Sequence, residues 1–74
     1  MSQLGKVYKR RAFTGAPASG FTAKLAEHKA ERGALPASVR VNPALVAIAR
    51  EVLPNNVLVI ENGGTLFGEI EMEI

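Results

Sequence analysis

Residues 66–74 alternate between an apolar set and a second set that is acidic except for Phe67. A period of two is typical of a β-strand with one buried face, because successive side chains of a strand point to opposite sides. We expect the three carboxylates to face solvent, where they would protect a terminal strand from edge-to-edge association. The apolar positions are Leu66, Gly68, Ile70, Met72 and Ile74, and between them lie Phe67, Glu69, Glu71 and Glu73.

A second β-rich segment, residues 57–61, precedes this strand. The sequence Asn62-Gly63-Gly64 lies between the two segments. Asn-Gly favours the tight turn of a β-hairpin, because both central residues of a type I′ turn need positive φ. The sequence therefore predicts a hairpin whose two strands are residues 57–61 and 65–73.

A helix is predicted over residues 43–53, directly after a short strand at residues 38–41. Asn42 can cap the helix, and Pro43 suits its first position because proline has a fixed φ and no N–H. Apolar side chains then recur at i, i+3, i+4, i+7 and i+8, which places them on one helical stripe. These are Leu45, Ile48, Ala49, Val52 and Leu53.

A weaker helix is predicted over residues 22–32, with Thr22 as its N-cap and Gly33 as its C-terminal stop. Its apolar face is thin, because most of its apolar residues are alanines. The predicted fold class is α+β: a small β-α-β-β unit formed by the 38–41 strand, the 43–53 helix and the hairpin.

The first 20 residues are interpreted as a flexible basic arm, followed by a single small α+β domain over residues 21–74. Residues 14–20 are small or helix-breaking and show no hydrophobic period. The arm contributes to a charge asymmetry along the chain. Residues 1–33 contain seven Lys and Arg against two Glu, whereas residues 34–74 contain two Arg against five Glu. Such an asymmetry can orient a protein on its partner.

Few residues suit catalysis or metal binding. A chain of 74 residues supports one modest core and not a deep cleft in addition. It has no cysteine and a single histidine, His28, which lies between Glu27 and Glu31 on a helix expected to be exposed to solvent. That pattern lacks the paired histidines of a helical zinc site. We therefore predict a non-enzymatic protein with no catalytic residue, no metal and no cofactor.

The arm is instead the predicted partner-binding site. Cations beside aromatic side chains can neutralise phosphates and stack on bases, or they can anchor in an acidic groove on a protein. The residues assigned to this site are Lys6, Val7, Tyr8, Lys9, Arg10, Arg11 and Phe13.

The chain resembles the small RNA polymerase-binding transcription regulators of lytic bacteriophages, in particular those of Xanthomonas phages. The resemblance is carried by the length, by Lys9-Arg10-Arg11 near the start, by an Ala- and Arg-rich composition and by a compact C-terminal half. It implies docking on bacterial RNA polymerase, at the N-terminus of the β′ subunit near the RNA exit channel. It further implies inhibition of transcription initiation and promotion of antitermination.

Two alternatives remain open from the residues alone: a small basic nucleic-acid-binding protein, and a phage structural or assembly protein. The five carboxylates of the C-terminal half argue against a broad nucleic-acid face. The expected location is the cytoplasm, that of the host if a phage encodes the protein. The sequence favours no membrane association, and a monomer when the protein is free of its partner.

Overall fold

The computed structural model describes residues 6–74, and in this range it forms an α+β fold, as the sequence predicted. Strand β1 (Tyr8–Ala12) is followed by helix α1 (Pro17–Arg32) and strand β2 (Ser38–Val41). A 3-10 turn (Pro43–Leu45) leads into helix α2 (Val46–Val52), and strands β3 (Leu58–Glu61) and β4 (Glu69–Glu73) complete the chain.

The strands form a sheet in the order β1-β4-β2-β3. Strand β4 is antiparallel to both of its neighbours, with Tyr8 opposite Glu73 on one side and Val39 opposite Met72 on the other. Strands β2 and β3 are parallel. Parallel neighbours need a crossover connection, and the segment containing α2 provides it.

The hydrophobic core lies between the sheet and the two helices. Phe21 and Leu25 of α1 and Leu45, Ala49 and Leu53 around α2 pack against apolar side chains of the strands. The buried apolar side chains that the strands and the residue preceding β3 contribute to this core are Val39, Val41, Val57, Val59, Ile70 and Met72. We call the opposite, helix-free side of the sheet the open face.

The predicted hairpin of residues 57–61 and 65–73 is wrong, because β3 and β4 do not pair with each other. Within residues 6–74, positive φ occurs at Gly15 and Gly33 and not in the Asn62-Gly63-Gly64 turn. That turn therefore cannot be type I′. Instead, Asn62 Nδ2 donates to the Thr65 hydroxyl, and the Gly64 amide donates to Asn62 Oδ1. Strand β4 then pairs with β2 rather than with β3.

The interpretation of residues 1–20 as a flexible arm is also wrong for the residues that the structure describes. Residues 8–12 form β1, and residues 17–20 belong to the first turns of α1. Residues 1–5 lie outside the described residues. Residues 9–11 show no hydrophobic period because all three are charged, so the sequence pattern did not indicate a strand. In the fold their side chains pair with carboxylates of β4 and α1.

Helix α1 starts at Pro17, five residues before the predicted start at residue 22. The predicted cap, Thr22, lies inside the helix, where its hydroxyl donates to the carbonyl of Ala18 at 3.0 Å. Gly20 lies within the helix at a position where the ring of Phe13 occupies the space that a Cβ would fill, so a larger residue would clash there. The predicted stop is confirmed: Gly33 has φ 82°, which glycine adopts without strain.

The prediction for residues 38–53 is largely confirmed. Strand 38–41 has the predicted bounds, and the Asn42 side chain accepts a hydrogen bond from the Ala44 amide at 2.9 Å. Residues 43–53 begin as a 3-10 turn rather than as an α-helix. Among the helices described in residues 6–74, none is long and apolar enough to cross a membrane.

Candidate partner-binding site

Strand β1 lies at one edge of the sheet and divides its cations between two sides. The side chains of Lys9 and Arg11 face α1, whereas those of Tyr8 and Arg10 lie on the open face. This division follows from the two-residue period of a strand. As a result, consecutive basic residues of the sequence meet different carboxylates.

Arg11 is the centre of a buried ionic cluster on the α1 side. Arg11 is 4% exposed, and its guanidinium lies 3.0 Å from Glu27 Oε1 and 2.7 Å from Glu31 Oε1. Lys9 Nζ reaches the same Glu31 carboxylate at 3.1 Å. Hydrogen bonds from Arg11 and then Lys9 lower the pKa of Glu31 to about 2, because both stabilise its charged form.

His28 completes this cluster and is buried, contrary to the prediction of a solvent-exposed histidine. Its Nδ1 lies 3.4 Å from Arg11 Nη2, so the neutral ring can accept a hydrogen bond from the guanidinium there. Burial, and then the charges of Arg11 and Arg32, lower the pKa of His28. The imidazole is therefore packed against Arg11 of β1 and not exposed on the surface of α1.

On the open face, Tyr8 extends from β1 across β4 to β2. Its hydroxyl lies 2.7 Å from Ser38 Oγ, which donates to Glu73 Oε1 at 2.6 Å. The guanidinium of Arg40 lies 4.0 Å from the centre of the Tyr8 ring, a cation–π contact. These contacts hold the tyrosine against the sheet, so it is not a free aromatic anchor.

Acidic residues of β4 on the open face are covered by arginines. Glu71 is 4% exposed, with Arg40 Nη2 at 2.6 Å and Arg10 Nε at 3.5 Å. The expectation that all three carboxylates of β4 face solvent is therefore wrong. Strand β4 is central in the sheet, so side chains of both neighbouring strands cover its acidic side.

The predicted site residues thus fall into two groups. Arg11 is buried in the ionic cluster, Tyr8 is half-buried, and Phe13 packs edge-on against Phe21 at a ring separation of 5.3 Å. The side chains that remain exposed are those of Lys6, Val7, Lys9 and Arg10. Sequence reasoning missed Glu27 and Glu31, whose only signal was a charge opposite to that of residues 9–11. It also missed Arg40, whose only signal was a charge opposite to that of Glu71.

The backbone of β1 offers a second set of contacts. The amide of Ile74 donates to Val7 and that of Phe13 donates to Gly68, both at 2.9 Å. Hydrogen-bonded and non-hydrogen-bonded positions alternate along an antiparallel pair of strands. The backbone N–H and C=O groups of the odd-numbered residues of β1 therefore point towards β4. The N–H and C=O groups of Tyr8, Arg10 and Ala12 therefore point outward, along the free edge of the sheet.

Among residues 6–74, no group of three or more acidic or histidine side chains is arranged to hold a metal ion. Comparison with models of protein families, with curated proteins and with solved structures found no match for the chain.

Proposed function

We propose that the protein is a non-enzymatic transcription regulator that binds bacterial RNA polymerase through the outer edge of β1. The observation that supports this proposal is an edge strand with outward N–H and C=O groups that carries exposed Lys9 and Arg10 and is preceded by exposed Lys6. The choice of polymerase rests on the resemblance to phage regulators. Docking at the β′ N-terminus would act on initiation and antitermination.

The geometry favours strand addition as the mode of binding. An extended segment of the partner would accept the amide hydrogens of Arg10 and Ala12 and donate to their carbonyl groups. The neighbouring lysine and arginine side chains favour an acidic segment, since complementary charge accelerates and orients association. These cations now bridge to Glu31, Glu69 and Glu73, but they are half or more exposed and can be shared with a partner.

The test measures binding of purified RNA polymerase by a variant with three substitutions, Lys6→Gln, Lys9→Gln and Arg10→Gln. Glutamine is chosen because charge reversal at Arg10 would oppose the buried Glu71 and disturb the fold. We expect affinity to fall about tenfold or more, since several charged contacts at the interface are lost together. The far-UV circular dichroism spectrum should stay unchanged.

A matched control removes three cations from α1 instead, with Lys24→Gln, Lys29→Gln and Arg32→Gln. It changes the net charge equally, so its affinity should stay within about twofold of the wild type. Equal losses in the two triple variants, or no polymerase binding by the unaltered protein, would refute the proposal. Binding of nucleic acid alone, with a steep dependence on salt, would support the nucleic-acid alternative instead.

A backbone variant tests strand addition itself. Ala12→Pro removes one outward N–H without breaking a hydrogen bond to β4, and proline is accepted on edge strands whose N–H faces solvent. We expect weaker polymerase binding with little change in melting temperature. Unchanged affinity would mean that the cations bind without an added strand.

A further inference from the structure

The opposite edge of the sheet, formed by β3, is also free within the described part of the chain. The amide of Leu58 donates to Ala37 at 3.0 Å, and that of Asn62 donates to Val41 at 2.9 Å. In a parallel ladder, alternate residues bond to the neighbouring strand. The backbone N–H and C=O groups of the even-numbered residues therefore point towards β2, and those of Val59 and Glu61 point outward.

The two edges differ in their side chains. Strand β1 presents cations, which discourage pairing with another copy of the same strand. Strand β3 presents Leu58, Val59 and Ile60 before its one charged residue, Glu61. Leu58 is 59% exposed on the open face. An edge with apolar side chains and unpaired backbone groups is a template for another strand.

We propose that the protein forms a homodimer in which β3 pairs antiparallel with β3 of a second copy, with Val59 opposite Val59. In this register Val59 donates to and accepts from Val59 of the second copy. The amide of Glu61 donates to the carbonyl of Val57 of the second copy. The Val57 amide takes no part in the pairing between copies, because it already donates to the carbonyl of Pro54 at 3.0 Å.

On the open face, the same register places Leu58 opposite Ile60 of the second copy. Ile60 is half-buried and Leu58 is exposed, so both lose apolar surface to water when they meet. Cross-strand apolar pairs of this kind stabilise a sheet. Because the dimer is twofold symmetric, the pair of Leu58 and Ile60 occurs twice.

On the helix side, the register brings Glu61 of the second copy opposite Val57. A groove of about 320 Å³ opens there between β3 and the end of α2, lined by Arg50 and by Leu53, Val57 and Val59. Neither Arg50 nor Glu61 forms an ion pair with another residue in the 6–74 range. The dimer therefore pairs a cation and a carboxylate that are unpaired in one copy.

This complementarity identifies the occupant as a second copy. A twofold interface is self-complementary: if one residue contacts another, the reverse contact also forms. Arg50 and Glu61 meet this condition at the two ends of the paired strands. A strand pair of this length buries less than the roughly 800 Å² per partner of a standard interface, so the dimer is weak and depends on concentration.

Sedimentation equilibrium of the full chain from about 10 μM to about 1 mM measures this association. We expect the mean mass to rise towards that of a dimer. Leu58→Lys should keep the protein monomeric, because it places a charge at the apolar edge. Leu66→Lys is the matched control, since Leu66 is 62% exposed in the β3–β4 connection and should leave the association unchanged.

A charge swap tests the register. Arg50→Glu and Glu61→Arg should each weaken association about threefold or more, and the combined variant should recover it. A monomer throughout the concentration range, equal effects of Leu58→Lys and Leu66→Lys, or no recovery in the combined variant would each overturn the proposal. The proposal does not depend on polymerase binding, because that site lies on the other edge of the sheet.

Discussion

At the scale of single residues, Arg11 and His28 show how position within the fold changes a chemical role. Arg11 belongs by sequence to a basic cluster suited to bind a partner, yet it is buried beside Glu27 and Glu31. His28 belongs by sequence to a charged helical segment, yet it is buried against Arg11. Both exchange contact with water for contact with each other because β1 packs beside α1.

Glu31 makes this cluster sensitive to acid. Its folded pKa of about 2 lies below its ordinary value of 4.5, so the unfolded chain binds the proton more readily. This contribution to stability is complete above about pH 4.5 and is lost as the pH falls towards about 2. We expect the urea midpoint of Glu31→Gln to fall less than that of the wild type between about pH 5 and about pH 3.

Glu51→Gln is the control for this measurement, since Glu51 is exposed and forms no ion pair within residues 6–74. Its midpoint should fall with pH as much as that of the wild type. Glu27 also has a lowered pKa, because Lys24 and then Arg11 bond to it. Some acid sensitivity therefore remains in Glu31→Gln. An unchanged pH dependence in that variant would show that Arg11 does not stabilise the folded state through Glu31.

At the scale of elements, the stripe of the 43–53 segment is real but uneven in depth. Leu45, Ala49 and Leu53 are buried, whereas Ile48 and Val52 are half-buried at the margin of the core. The spacing alone assigns all five to one face. The depth of each depends on where α1 and the sheet approach α2.

Leu45→Ala should therefore lower the free energy of unfolding by about 2–5 kcal/mol, since it leaves a cavity in a packed core. Ile48→Ala should cost less, about 1–2 kcal/mol, because water already reaches part of its side chain. Urea denaturation of both variants measures the difference. A larger loss for Ile48→Ala than for Leu45→Ala would mean that α2 is rotated relative to this description.

At the scale of the whole molecule, β1 is the first strand of the chain and pairs with β4, the last one. It pairs along β4 and supplies the arginine beneath which His28 is buried. Residues 8–12 are therefore part of the sheet and not an appendage. Their removal would expose the edge of β4 and leave Glu31 without its two cations.

Deleting residues 1–12 should therefore lower the melting temperature by about 10 °C or more, since about 1 kcal/mol shifts a domain of this size by about 4–8 °C. Differential scanning calorimetry measures the change. Lys9→Gln combined with Arg10→Gln keeps the strand while removing two charges, and it should shift the transition by only a few degrees, about 5 °C at most. Equal melting temperatures for the deletion and the full chain would show that β1 adds no stability.

Local pattern was sufficient to predict several parts of the fold. Strand 38–41, the Asn42 cap, the stripe of α2 and the stop at Gly33 depend on residues within a few positions of one another. The α+β class followed from the same local signals. Such features are determined by backbone propensity and side-chain period, which act before any distant segment is in place.

Strand pairing and the depth of the charged residues were decided only by the tertiary structure. Strand β4 pairs with β1 and β2 rather than with β3, and β1 forms from residues that carry no hydrophobic period. The pairing of β4 and the formation of β1 depend on contacts with segments distant in sequence. A two-residue period indicates that a segment is a strand but not which strand lies beside it, and a run of cations does not reveal the carboxylates that bury it.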